Sequence, residues 1–297
     1  MHTLLNGLKI SFDNGKGDIA FVSHAHSDHL NGVRKKEKII ASDETISLAD
    51  LYAENITLPG VKLYDAGHIL GARQISVEDD GLITVYTGDI CMRPSLTTKG
   101  AEIVKCDRLI IEATYADPFY KFPDYHEVCS DIAKWVKEND QSNIIIGCYE
   151  LGKAQELVKL LNDYCGISPI VTENMDEFCG VYEDFGIKLD TVAIGSDEAE
   201  EVMKKRFVAL VPMRHGKRYF AARLAEAFER KTLAAVATGW AMKMRFDVDK
   251  SFPLSDHLDH YDLKEYLEQS GAKEVKFFQG DGSALLKCMR ESQKILV

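Results

Sequence analysis

His24-Ala25-His26-Ser27-Asp28-His29 constrains this chain more than any other stretch, because it sets four metal-binding side chains within six residues. It follows an apolar run, Ile19-Ala20-Phe21-Val22, that predicts a short buried strand. Side chains alternate along a strand, so His24 and His26 at its end face the same way and can grip one ion. Asp28 and His29 fall after the turn and are placed for a second ion. A lone histidine is most often a satisfied core or surface residue. Three histidines and an aspartate this close behind a strand are much harder to explain by packing, and they predict a metal site.

The chain has 297 residues, 45% hydrophobic and 28% charged, which suits a globular protein of two domains or of one domain with an insertion. No stretch is long and apolar enough to span a bilayer, and the segment 1–12 lacks the basic start and apolar core of a signal peptide. The expectation is a cytoplasmic protein with no membrane partner. The seven cysteines (Cys91, Cys106, Cys129, Cys148, Cys165, Cys179 and Cys288) form no C-x-x-C pair, which argues against a disulfide framework or a cysteine zinc knuckle. Any metal must then be held by His and Asp, a donor set that suits zinc, with manganese or iron as alternatives. The net charge of −11 excludes a protein that coats nucleic acid by bulk basicity. A polyanionic substrate would need local attraction from metal ions and a few placed Lys and Arg.

No internal repeat or low-complexity linker interrupts the chain. Residues 1–112 read as short strands between Gly, Asp and Asn turns, among them 61–64, 75–77, 82–86 and 108–111. The character changes near Tyr115-Ala116-Asp117-Pro118. Helices over 128–137, 151–161 and 219–229 then alternate with apolar strands over 144–147, 169–171 and 208–212, which predicts a three-layer α/β unit on a parallel sheet. A helix over 262–269 and a strand over 275–278 follow. The organisation expected is a first domain over 1–118, an inserted domain over 119–236 and a completing part over 237–297.

Two further segments suit the opening motif. Gly67-His68 follows a strand, flanked by glycines that let the backbone turn, and Gly88-Asp89 ends another. A single carboxylate such as Asp89 can bridge two metals. The order His24-x-His26-x-Asp28-His29, Gly67-His68, Gly88-Asp89 resembles the metallo-β-lactamase superfamily. Ile111-Glu112-Ala113-Thr114-Tyr115 and Leu254-Ser255-Asp256-His257-Leu258-Asp259 are similar to motifs A and B of its β-CASP nucleases. Gly152-Lys153-Ala154-Gln155-Glu156-Leu157 looks like the helix start of the β-CASP insertion. Gly239-Trp240 and the compact length resemble the short ligase-associated exonucleases, also labelled mRNA 3′-end processing factor-like proteins.

The resemblance implies an α/β fold: a metallo-β-lactamase αββα sandwich interrupted by a three-layer β-CASP domain. It implies that His24, His26, His68 and Asp89 hold one Zn2+, and that Asp28, His29 and Asp89 hold a second. Asp13 would orient these ligands from behind. His257 would be the catalytic histidine, Glu112 the acid that fixes it, and Asp28 part of the same catalytic set. The family's motif C histidine is replaced here by Gln279, in Phe278-Gln279-Gly280-Asp281. An amide oxygen is a poor zinc ligand beside imidazole, so one ion should be held firmly and the second weakly. DNA-processing members of the family also lack this histidine, a slight lean toward DNA. His260 could in principle substitute, although a solvated histidine at a helix start is the plainer reading.

The activity implied is metal-dependent hydrolysis of DNA or RNA phosphodiesters, as an exonuclease in processing or repair, on single-stranded or structured nucleic acid and with processing proteins as partners. Oligomeric state is unreadable. Lys153 at a helix start, Arg214, Lys217 and Arg218 in a loop before a helix, and Lys243 and Arg245 before motif B are candidate phosphate contacts. Tyr115, Phe119 and Tyr120 are candidates for base stacking or for packing at the domain junction. A small-molecule metallohydrolase on the same scaffold would explain the acidic charge but not Glu112, His257 or the inserted unit. A non-catalytic scaffold would explain neither those residues nor the full set of metal-binding side chains.

Overall fold

In the computed structural model, which describes residues 1–295, the chain forms two compact units. The first comprises Met1–Pro94, Thr98–Lys121 and the segment from His257 onward; the second comprises Ser95–Thr97 and Phe122–Asp256.

In the first unit, β1 (His2–Leu5), β2 (Leu8–Phe12), β3 (Ile19–Phe21), β4 (Lys38–Ile40) and β5 (Glu54–Asn55) lie in that order in one sheet, parallel except for the β1–β2 hairpin. Helix α1 (Asp43–Ala49) follows β4; the Ser42 side chain caps it by accepting from the Thr45 N–H. A second sheet begins with β6 (Val61–Asp65), β7 (Arg73–Asp79) and β8 (Leu82–Tyr86), an antiparallel meander, and β9 (Arg108–Glu112) joins it parallel to β8. The alternating side chains of both sheets meet in one core. Ile10, Phe12, Phe21 and Ile40 come from the first sheet, and Ile75, Val77, Tyr86 and Ile110 from the second. The Phe12 and Tyr86 rings stack within it at 4.8 Å.

The second unit is built on β10 (Asn143–Cys148), β11 (Ile170–Val171), β12 (Val192–Ala193), β13 (Val208–Pro212), β14 (Thr232–Ala237) and β15 (Lys250–Phe252). Every pairing is parallel, in the order β12-β11-β13-β10-β14-β15. Helix α2 (Tyr125–Glu138) leads into β10, and α3 (Lys153–Leu160), α4 (Glu173–Asp184), α5 (Asp197–Met203) and α6 (Arg218–Ala227) make the crossovers. Ile145, Ala209, Ala234 and Val236 pack with Ala199 of α5 and Ala221 of α6. Ile144 and Ile146 face the other way and are equally buried, so both faces of the sheet are covered. The unit runs to Asp256 rather than to the expected 236, because β14 continues through a short 3₁₀ turn (Gly239–Met242) into β15, which pairs with it.

The chain then completes the first unit with α7 (His260–Ser270), β16 (Glu274–Phe278) and α8 (Ser283–Ile295), β16 pairing parallel with β9. Leu263, Tyr266 and Leu267 of α7 and Leu285 of α8 pack on Val85, Leu109 and Ile111, the face of the second sheet turned away from the shared core. Among the described residues no helix is long and apolar enough to cross a membrane.

Candidate metal centre

Asp13 follows β2, the segment 24–29 follows β3, His68 follows β6, Asp89 follows β8, Glu112 ends β9 and Gln279 follows β16. All six lie at the carboxyl ends of strands of the first unit, so one edge of the two sheets gathers them. His24 Nε2 is 3.0 Å from His26 Nδ1, and His68 Nε2 is 3.2 Å from that same atom. Asp89 Oδ2 lies 3.7 Å from His24 Nε2 and 3.8 Å from His68 Nε2. One donor atom from each of these four residues falls within 4.8 Å of the others, so they can share one cation. Asp89 Oδ1 is buried with no hydrogen-bond partner, and a buried carboxylate oxygen with no donor suits a cation. Burial and the surrounding imidazoles hold the His24 pKa well below its ordinary value, which keeps the ring neutral, as a ligand must be.

A second group adjoins this one through Asp89. His29 Nε2 is 3.4 Å from Asp89 Oδ1 and 3.7 Å from Asp28 Oδ2. Gln279 Nε2 approaches His29 Nε2 at 2.9 Å and Asp28 Oδ2 at 3.4 Å. The Gln279 backbone is left-handed, with φ of 49°. Burial alone would lower the His29 pKa, but the hydrogen bond and charge of Asp13, with Asp89 and Asp28, raise it to about 9. Burial first, then the Glu112 charge, pushes the Asp89 carboxyl up to about 7.

Asp13 is a hub beneath both groups. Its Oδ1 accepts the Ser23 N–H at 2.7 Å. Its Oδ2 accepts the Ser23 hydroxyl at 2.7 Å and the Tyr86 hydroxyl at 2.6 Å, and lies 2.6 Å from His29 Nδ1. Burial and then the Asp13 charge push the Tyr86 pKa far up, so its hydroxyl remains a donor. The Ser23 Oγ is also 3.0 Å from His24 Nδ1. Gly88 lets this packing happen: its φ is +59°, and a Cβ there would stand 2.4 Å from the Ser23 Cβ. Ser23 and Tyr86 were not foreseen from the sequence, where one reads as a loop residue and the other as a core aromatic.

Glu112 and His257 form a separate pair. His257 Nδ1 sits 2.8 and 2.9 Å from the two Glu112 oxygens. Glu112 is itself fixed by the Ile90 N–H at 2.8 Å and by the Thr114 hydroxyl. Its side chain is 1% exposed, whereas that of His257 is 19% exposed, so the imidazole is the accessible member of the pair. The His257 and His68 rings lie 4.5 Å apart, which puts the pair beside the metal-binding cluster.

No family model matches the chain. It is 31% identical over 296 residues to a "Probable DNA ligase" of Opitutus terrae, the match covering 92% of this chain and 28% of that protein. It is 32% identical over 162 residues to an "RNase J-like protein" of Methanocaldococcus jannaschii, covering 52% of this chain and 38% of the other. Similarity to the "5' exonuclease Apollo" of Gallus gallus is 24% over 294 residues, 90% of this chain and 61% of that one. The relatives are metallo-β-lactamase proteins of the β-CASP type. This chain is similar to β-CASP proteins over nearly its whole length. It spans under two thirds of the length of these curated relatives. A crystal structure of a protein of unknown function from Enterococcus faecalis shares the fold, with a TM-score of 0.57, 12% identity and coverage of 88% of this chain and 75% of that one.

As in the β-CASP sequence pattern, Gly152-Lys153-Ala154-Gln155-Glu156-Leu157 opens a helix, but Lys153 is interior. It was expected to meet phosphate; instead it is 1% exposed and paired with Glu156 at 2.6 Å and Asp256 at 3.5 Å. Gln155 Oε1 accepts the Gly152 N–H at 2.7 Å, so side chains of the motif serve its own helix start. Arg214, Lys217, Arg218, Lys243 and Arg245 are all exposed. Arg218 pairs with Asp249 at 3.0 Å and Asp247 at 3.6 Å. Of the aromatic candidates, Tyr115 and Tyr120 are buried and pack together at 4.8 Å, whereas Phe119 is 53% exposed. The His260 Nδ1 lies 2.7 Å from the Ala116 carbonyl, which ties that histidine to the loop after β9.

Proposed function

We propose that the chain is a metal-dependent nuclease that hydrolyses phosphodiester bonds of DNA or RNA, acting as an exonuclease in nucleic-acid processing or repair. The observation that carries this reading is the His257–Glu112 pair, set beside a cluster able to hold a metal. A small-molecule hydrolase needs a metal and a pocket; an additional histidine oriented by a buried acid serves protonation of a poor alkoxide leaving group. The names of the relatives, a ligase, an RNase J-like protein and a 5' exonuclease, agree with action on nucleic acid.

His24, His26, His68 and Asp89 would hold one Zn2+, with Mn2+ or iron as alternatives. Asp28, His29 and Asp89 would hold a second ion more weakly, because Gln279 stands where a further imidazole would be. A divalent metal bound there supplies Lewis acidity toward phosphate and lowers the pKa of water toward ~7. The protein's own contribution is positional. Glu112 takes Nδ1 of His257 and so fixes the ring and its tautomer. With Nδ1–H donated to Glu112, the doubly protonated ring would give its Nε2 proton to the leaving oxygen and be left neutral, a step worth about 10²–10⁴-fold. Asp13 holds the His29 ring from behind, while Ser23 links it to His24. Arg214, Lys217, Arg218, Lys243 and Arg245 would meet the phosphate backbone and Phe119 would meet bases, which supplies locally the attraction that a net charge of −11 denies globally.

The shared core of two sheets with helices α7 and α8 on an outer face suits the αββα sandwich, and the parallel sheet covered on both faces suits the inserted β-CASP domain. The relatives named as a cleavage and polyadenylation specificity factor subunit and an Integrator complex subunit make a processing assembly a reasonable setting. No two of the seven cysteines form a disulfide among the described residues, which suits the cytoplasm.

The test is a cleavage assay on end-labelled single-stranded DNA and RNA, with zinc, manganese or chelator, read on a denaturing gel. A metal-dependent ladder from one end is expected. No cleavage of either nucleic acid with any of these metals would overturn the reading.

A further inference from the structure

Lys153 carries a full charge into the interior of the second unit, where its side chain is 1% exposed. Glu156, three residues on along α3, faces it at 2.6 Å and is enough to balance it. A second carboxylate, Asp256, nevertheless lies 3.5 Å from the same ammonium. The Asp256 side chain is 20% exposed, so solvent was open to it. Pairs of this kind contribute little net stability; their best-attested use is to fix one arrangement over others.

What is fixed can be read along the chain. Asp256 is the last residue of the second unit, and His257 follows it directly. The segment 253–259 belongs to no helix or strand. Its path therefore depends on anchors rather than on a repeating hydrogen-bond ladder. Leu254 and Leu258 are buried, and the Leu258 N–H donates to the Ile90 carbonyl at 2.8 Å. Asp256 supplies a charged anchor between them, next to the residue whose imidazole must meet Glu112.

We infer that Lys153 is a positioning residue for His257: its buried ammonium, held by Glu156, fixes Asp256 and so the backbone from which His257 projects. The inference rests on His257 being the proton donor of the proposed nuclease. A displacement of about 1 Å at such a group can cost about 100-fold in rate, so an anchor one residue away is well placed to matter.

Asp256→Ala is the informative variant, because it leaves Lys153 and Glu156 as a balanced pair and should keep the fold. Lys153→Met leaves two carboxylates facing each other without a counter-charge, which puts the fold itself at risk; Lys153→Arg keeps the charge. Three readouts on full-length protein are compared: metal content, kcat and KM on end-labelled nucleic acid, and the His257 imidazole resonance, assigned by its loss in His257→Ala. Asp256→Ala should lower kcat by about 10- to 100-fold with metal content and KM unchanged, and should shift or broaden the His257 resonance. Lys153→Arg should retain most of both. An unmoved resonance and unchanged kcat in Asp256→Ala would overturn the inference. The resonance needs no substrate, so if the wild type cleaves no nucleic acid the nuclease reading falls alone, and the spectrum still decides whether Asp256 holds His257.

Discussion

Asp13→Ala tests whether the metal centre is held from behind as the hydrogen bonds indicate. The substitution removes the acceptor of the buried Ser23 N–H, the Tyr86 hydroxyl and His29 Nδ1, at 2.7, 2.6 and 2.6 Å. A buried donor left without a partner costs about 1–3 kcal/mol, and three neighbouring losses are not fully additive, so roughly 3–6 kcal/mol is expected. The Ser23 hydroxyl is left out of that sum because it can turn to His24 Nδ1, 3.0 Å away. Asp13 also sits at φ of 53°, where alanine adds about 1–2 kcal/mol. Asp13→Asn tolerates that backbone and can keep an oxygen at the Oδ2 position, which takes all the bonds but one, so about 1–3 kcal/mol should be lost. The assay is urea denaturation of the metal-free proteins, which removes stabilisation by bound ligand from the comparison. Equal stabilities for the two variants, or a loss below about 1 kcal/mol in Asp13→Ala, would refute the hub.

Gln279→His should raise zinc content from near one to near two equivalents per chain by elemental analysis after dialysis; an unchanged content would show that Gln279 is not what weakens the second position. The metal-free protein should lose stability as pH rises from 6 to 9. Both Asp89, at about 7, and His29, at about 9, have folded pKa values above their ordinary ones, so each holds its proton more tightly when folded. Their stabilising contributions are complete below the ordinary values and are lost as pH rises through the folded ones. His24, with a lowered pKa, acts in the opposite sense, and its contribution is lost as pH falls below its ordinary range. Thermal midpoints measured in chelator across that range check the slope, and a midpoint that climbs from pH 6 to 9 would contradict it.

What could be read from the sequence was what local spacing encodes. The close spacing of His24 and His26 is enough to put both in one cluster, although β3 ends at Phe21 and the loop after it, not strand alternation, brings them together. The apolar run between turns over 208–212 is the strand Val208–Pro212. Lys153 was misplaced for the opposite reason. A lysine at a helix start looks exposed unless Asp256, far along the chain, is known to meet it. The end of the second unit carries no local signal, because β15 is three residues long and shows no period. Helices α4 and α5 announce themselves in the sequence only through their caps, Thr172 and Ser196, each before an acidic first turn. The roles of Ser23 and Tyr86 depend on where β3 and β8 face each other, and no residue pattern carries that information.

The most direct test of the account compares wild type with His257→Ala on end-labelled single-stranded DNA and RNA, at equal metal content. The account predicts metal-dependent cleavage by the wild type that chelator abolishes, and a variant slower by about 10²–10⁴-fold that still binds its metal. Equal rates for the two proteins would contradict it.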